Sequence, residues 1–183
     1  MDPVTLQRIK FLHPKVRNEV LEAYKNINTI LLGKNIRLRF THTLRSIDEQ
    51  NQLFAQGRSM LFDTNGNRFK KVTNAKGGES IHNYGLAFDI VLLVDKDRNG
   101  SFESVSWDTK ADMDNNNKPD WMEVVDYLRQ LGWTWGGNWR SFPDYPHFEK
   151  TFGYNWKTLL QKYNNGEVFL ENIDGKIYKW VNV

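Results

Sequence analysis

No cysteine occurs among the 183 residues. Disulfides, thiolate metal sites and a cysteine nucleophile are thereby excluded together. No apolar run approaches the roughly 20 residues that a bilayer-spanning helix needs, so membrane insertion is not expected. Met1-Asp2-Pro3-Val4 lacks a basic segment followed by an apolar stretch, so no secretory signal is visible. A removed leader, or export through a lysis pore, would leave the same start. Charge of one sign is scarcely in excess: 25 Lys and Arg against 22 Asp and Glu leave +3. The basic residues are scattered and no nucleic-acid-binding motif occurs, so a nucleic-acid partner is not expected. With 39% hydrophobic and 26% charged residues, the composition is that of an ordinary globular domain. The length suits one core better than two.

What is present is regular patterning. Val16, Val20, Leu21, Tyr24, Ile27, Ile30 and Leu31 recur at helical spacing and predict one amphipathic helix stopped near Gly33. Ile36, Leu38 and Phe40 alternate with Arg37, Arg39 and Thr41, a half-buried strand. Ser46 with Glu49 forms a capping-box signature that opens a helix from Ile47 to about Gln56. Residues 63–79 read as surface loop, 86–94 as a buried strand, and 95–120 hold no predicted element. A helix over about 121–131, closed by Gly132, and a short strand near His147–Lys150 follow. Asp174-Gly175 between two apolar segments signals a hairpin within 166–181. The expected fold is α+β in one domain spanning 1–183. A small antiparallel sheet carries the functional residues, and helices pack on one side.

Two segments carry chemistry. In Ser80-Ile81-His82-Asn83-Tyr84-Gly85-Leu86-Ala87-Phe88-Asp89, a histidine precedes a strand that contains an aspartate. A carboxylate in an apolar strand is costly unless paired or bound to a cation, and either would account for Asp89. The second segment is Asp144-Tyr145-Pro146-His147-Phe148-Glu149. Two histidines and one carboxylate are a common ligand set for catalytic zinc, with one position open for water. A separate carboxylate must then move the proton, and Asp144 is the candidate if Pro146 bends the chain so that 144 and 147 converge. His13 and His42 have no such context and are assigned no metal role.

Ser80-x-His82-x-x-Gly85-x-Ala87-x-Asp89 resembles the zinc motif of peptidoglycan-cleaving metallopeptidases. That group contains D-alanyl-D-alanine carboxypeptidases and dipeptidases and the L-alanyl-D-glutamate endolysins. Trp135-Gly136-Gly137-x-Trp139 with Asp144-x-x-His147-Phe148-Glu149 resembles the second half of the same site. Arg45-Ser46-x-x-Glu49-Gln50-Asn51-x-Leu53-x-Ala55-Gln56-Gly57-Arg58 resembles the family's arginine helix, so the likeness covers about 36–150. The resemblance implies His82, Asp89 and His147 as zinc ligands, Asp144 as general base and Arg45 as oxyanion stabiliser. It also implies Ser80 and Gln50 as residues supporting the ligands or the substrate. Carboxypeptidases of the group usually carry Glu at position 144; Asp there, with the Trp-Gly-Gly-x-Trp stretch, is more like the endopeptidases. The expected partner is bacterial peptidoglycan at the cell wall, met by a monomer, with the L-alanyl-D-glutamate bond as substrate and D-alanyl-D-alanine carboxypeptidase activity as the alternative. A non-catalytic, zinc-containing wall-binding domain is a further alternative, disfavoured by the presence of Asp144 and Arg45.

One motif lies outside that resemblance. Asp112-x-Asp114-x-Asn116-Asn117-x-x-Asp120-x-x-Glu123 has the ligand spacing of an EF-hand-type calcium loop, with a helix following. Asn117 replaces the usual glycine and can also adopt a left-handed backbone. Asp95-x-Asp97-x-Asn99-Gly100-x-x-Glu103 is a weaker echo. Calcium is therefore a second expected cofactor, with a solvated acidic loop as the alternative.

Overall fold

The computed structural model describes residues 1–183. In chain order the helices are α1 (Pro3–Ile9), α2 (Pro14–Asn26), α3 (Ile47–Ala55), α4 (Asp120–Gln130) and α5 (Trp156–Asn164). The strands are β1 (Ile36–His42), β2 (Ala87–Val94), β3 (Ser104–Ser106), β4 (Thr134–Trp135), β5 (His147–Glu149), β6 (Val168–Ile173) and β7 (Lys176–Val181). All strand pairing is antiparallel, and the class is α+β as expected. Close packing divides the chain into two compact units: Met1–Thr43 with Ala87–Lys150, and Leu44–Leu86 with Thr151–Val183.

The first unit is built on β2. One edge pairs with β1 along its length; the other is shared, β5 taking Ala87–Asp89 and β3 taking Leu92–Val94. β4 extends the sheet beyond β5. Both faces of β2 are covered, so it reads as a continuous apolar run, and only Asp89 among its residues is not buried. The two-residue period sends Phe88 and Phe148 to one face. There Phe88 stacks on Phe40 at 4.4 Å and on Phe148 at 5.6 Å, and meets Trp133 at 4.6 Å. Asp89, His147 and Glu149 alternate with these rings and so point to the opposite face. α1 packs on β1 and α4 on β4.

The predicted helix over Val16–Leu31 is α-helical only to Asn26; Ile27–Leu31 form a π turn. Asn28 supplies the reason. Its amide donates to the Tyr24 carbonyl at 2.7 Å while its oxygen accepts the Leu38 N–H at 2.9 Å, tying the widened turn to β1. The stretch 95–120, expected to hold no element, contains β3, which forms because the upper half of β2 still has an open edge.

In the second unit, Ser46 accepts the Glu49 N–H and Glu49 accepts the Ser46 N–H, so α3 begins with the expected capping box. Loss of such a cap costs about 1 kcal/mol. The predicted hairpin is β6–β7. Asp174 (φ 52°) and Gly175 (φ 86°) both take the left-handed backbone that a tight two-residue connection requires.

Candidate metal centre

Strand register does the first part of the assembly. Asp89 lies opposite His147 on β5 and opposite His42 on β1. Cross-strand partners share a face, so His147 Nδ1 is 3.2 Å from Asp89 Oδ1. On the other side His42 Nδ1 is 3.7 Å from Asp89 Oδ2. His42, which the sequence assigns no metal role, is placed beside the carboxylate by the pairing of β1 with β2. His147 Nε2 in turn lies 3.0 Å from Glu149 Oε2. Glu149 closes the Asp144-x-x-His147-Phe148-Glu149 motif but has no role assigned to it there, though the His-x-Glu alternation within one strand was the available signal. His13, by contrast, caps α2 by accepting the Lys15 N–H.

His82 lies in a single 3-10 turn, Ile81–Tyr84, that leads directly into β2. Gly85 ends the turn at φ 67°, a conformation that side chains with a Cβ resist. The His82 carbonyl accepts the Arg45 N–H at 3.1 Å. Asn83, nearly buried, donates to the Arg45 and Ser46 carbonyls at 2.9 and 3.1 Å and accepts the Gly78 N–H at 2.9 Å. It is therefore the clip between the histidine turn and Arg45, a residue the motif left undefined. Gln50 is fully buried. Its oxygen accepts the Arg45 guanidinium at 2.8 Å and its amide donates to Ala75 O at 2.8 Å. Ser80 immediately precedes the turn, and its carbonyl accepts the Asn83 N–H.

Asp144 begins the turn that enters β5: the His147 N–H donates to its carbonyl at 3.2 Å, and its own N–H donates to Gly136 O at 3.0 Å. Pro146 O accepts the Ile90 N–H, so the bend expected at this proline is present as a turn seated on β2. The Trp-Gly-Gly stretch is its cradle. Any Cβ at Gly136 would stand 2.6 Å from Asp144 O and 3.1 Å from His147 Cβ, and Trp135 Nε1 donates to Tyr145 O at 2.7 Å. The Trp139 ring sits 5.1 Å from the His147 ring.

One ligand atom each from His82, Asp89 and His147 lies within 4.8 Å of the others. His82 and His147 are buried and Asp89 partly so. Two imidazoles and a carboxylate converging in this way fit a divalent transition metal. The electrostatics also fit: burial opposes a charge on His147, yet the hydrogen bonds to Asp89 and Glu149 outweigh it and push the imidazole up to about 9. The two carboxylates beside the ring thus favour positive charge between them, which a cation would also supply. Of the acidic-loop residues, Asp114, Asp120 and Glu123 also converge within 4.8 Å, while Asp112 and Asn116 bond within the loop.

A family model described as D-alanyl-D-alanine carboxypeptidase matches residues 73–150. The peptidoglycan L-alanyl-D-glutamate endopeptidase CwlK of Bacillus subtilis is 42% identical over 138 residues, 75% of this chain and 72% of that protein. A solved structure, the L-Ala D-Glu endopeptidase ChiX of Serratia marcescens, is 21% identical with a TM-score of 0.49, covering 83% of this chain and 90% of that one. With its antiparallel sheet and His-Asp-His group, the chain is a metal-dependent peptidase. It belongs to the M15 peptidase family. No helix is long and apolar enough to cross a membrane.

Proposed function

We propose that this chain is a zinc endopeptidase that hydrolyses the L-alanyl-D-glutamate bond of peptidoglycan stem peptides. The convergence of His82, Asp89 and His147 in a chain 42% identical to an endopeptidase of that specificity carries the reading. The three residues would hold zinc, His147 through Nδ1, with Nε2–H held by Glu149 as the orienting partner. When bound, the metal supplies Lewis acidity to the scissile carbonyl and lowers the pKa of the attacking water.

The remaining work falls to side chains. Asp144 takes a proton from water as its oxygen attacks the carbonyl carbon, then returns it to the departing D-glutamate nitrogen as the C–N bond breaks. Arg45 meets the negative charge that develops on the carbonyl oxygen, and Gln50 keeps the guanidinium directed by accepting from it. Ser80 supports the His82 turn or the substrate. The enzyme acts at the cell wall, as a monomer and as one catalytic domain over 1–183.

The family description favours a second reading, release of terminal D-alanine. Mass analysis of products from purified peptidoglycan separates the two: new N-terminal D-glutamate is the expected result. Free D-alanine alone would establish the carboxypeptidase instead.

A further inference from the structure

Asp120 is the first residue of α4, and none of its surface reaches solvent. Its Oδ2 accepts the Met113 N–H at 2.7 Å, whereas its Oδ1 has no hydrogen-bond partner. A fully buried carboxylate with one oxygen unmatched is costly. Its neighbours aggravate the cost, because oxygens of Asp114 and Glu123 lie within 4.8 Å of it and of each other. The groups that bond these acids are backbone amides and the Asn116 side chain, whose nitrogen donates to both Glu123 oxygens at 3.1 and 3.2 Å. Neither lysine nor arginine bridges them. Three carboxylates, one buried and under-bonded, are therefore gathered without a compensating positive charge.

The backbone around them is arranged as a tight loop. Asp112 accepts the Asn116 and Asn117 N–H groups at 3.1 and 2.9 Å, and Asn116 accepts that of Lys118 at 2.9 Å. Asn117, at the sixth position, takes φ 68°. We propose that the loop Asp112–Glu123 is a calcium site in which Asp112, Asp114, Asn116, Asp120 and Glu123 supply the oxygens. A donor set of oxygens alone, several of them carboxylates on one short loop, suits calcium better than zinc or magnesium. The upstream loop provides the contrast. Asp95, Asp97 and Glu103 also gather within 4.8 Å, but Asp95, the buried member, has both oxygens satisfied by the Asn99 and Gly100 amides. The proposal does not extend to that loop.

The test uses full-length protein stripped with chelator and reloaded with one equivalent of zinc, melted with and without calcium chloride. Calcium is expected to raise Tm by about 5 °C at concentrations well above its Kd. Glu123→Gln and Asp114→Asn should each remove the shift while Glu103→Gln keeps it, with zinc content by metal analysis equal in all four proteins. No calcium-dependent shift in the parent, or one that survives Glu123→Gln, would overturn the proposal. Unequal zinc content would place the calcium effect at the zinc ligands and overturn it likewise.

Discussion

The His82–Asp89–His147 group and the Asp114–Asp120–Glu123 group each bring ligand atoms within 4.8 Å, but by opposite routes. The first draws on a turn and two strands, and its donors meet because β2 pairs with β5 in the register that sets Asp89 against His147. The second is closed by one loop and the first turn of a helix. The chemistry divides in the same way: two buried imidazoles with one carboxylate in the first, oxygens alone in the second. A sheet-borne site can be buried and held in place by β-ladder hydrogen bonds, as a metal that must polarise a carbonyl requires. A loop-borne site is closed by local chain, and its occupancy bears first on local stability.

The sharpest way to break this comparison is to remove a donor from each. His82→Ala should abolish both bound zinc and peptidase activity, whereas Asp114→Ala should leave zinc content unchanged; equal zinc loss in both would erase the distinction. Asp144→Ala should keep zinc and fold yet lose about 10²–10⁴ in kcat, measured on peptidoglycan fragments. Undiminished turnover would remove the general-base role.

Smaller effects sharpen the picture of His147. Its metal-free imidazole is raised from 6.5 to about 9, because the hydrogen bonds to Asp89 and Glu149 outweigh the opposing effect of burial. A raised pKa means that the stability due to its proton is complete below pH 6.5 and is lost as pH climbs through about 9. Metal must displace that proton, so zinc affinity should rise about tenfold per pH unit across this window and level off above it. Glu149→Gln should bring the plateau to lower pH and, above pH 9, weaken zinc about 10–100-fold by freeing the ring from its partner. Titration with a competing chelator reads both.

Local pattern announced several elements correctly. The alternation in β1, the Ser46–Glu49 cap of α3 and the Asp174-Gly175 turn each express a preference of a few neighbouring residues. α1 and α5 carry little apolar pattern of helical period: only Thr5 and Ile9 in the one and Leu159 in the other are buried. Their starts were nonetheless marked, by Asp2 before Pro3 and by Asn155 as an N-cap. The site's supporting residues were harder. Gln50, as easily a solvent-facing helix residue by its position, is buried against Arg45 because the chain at Thr73–Ala75 lies over it.

The spacing of Asp112 to Glu123 and the histidine and arginine motifs were set by the order of amino acids, since a loop's ligand positions and a motif's identity are properties of neighbouring residues. Tertiary structure alone decided that His42 would stand beside Asp89 and that Gly136 would seat the turn carrying Asp144. Those contacts depend on strand register and on the close approach of distant backbone. Both are outcomes of packing the aromatic core around Phe88, not of any preference local to the residues concerned.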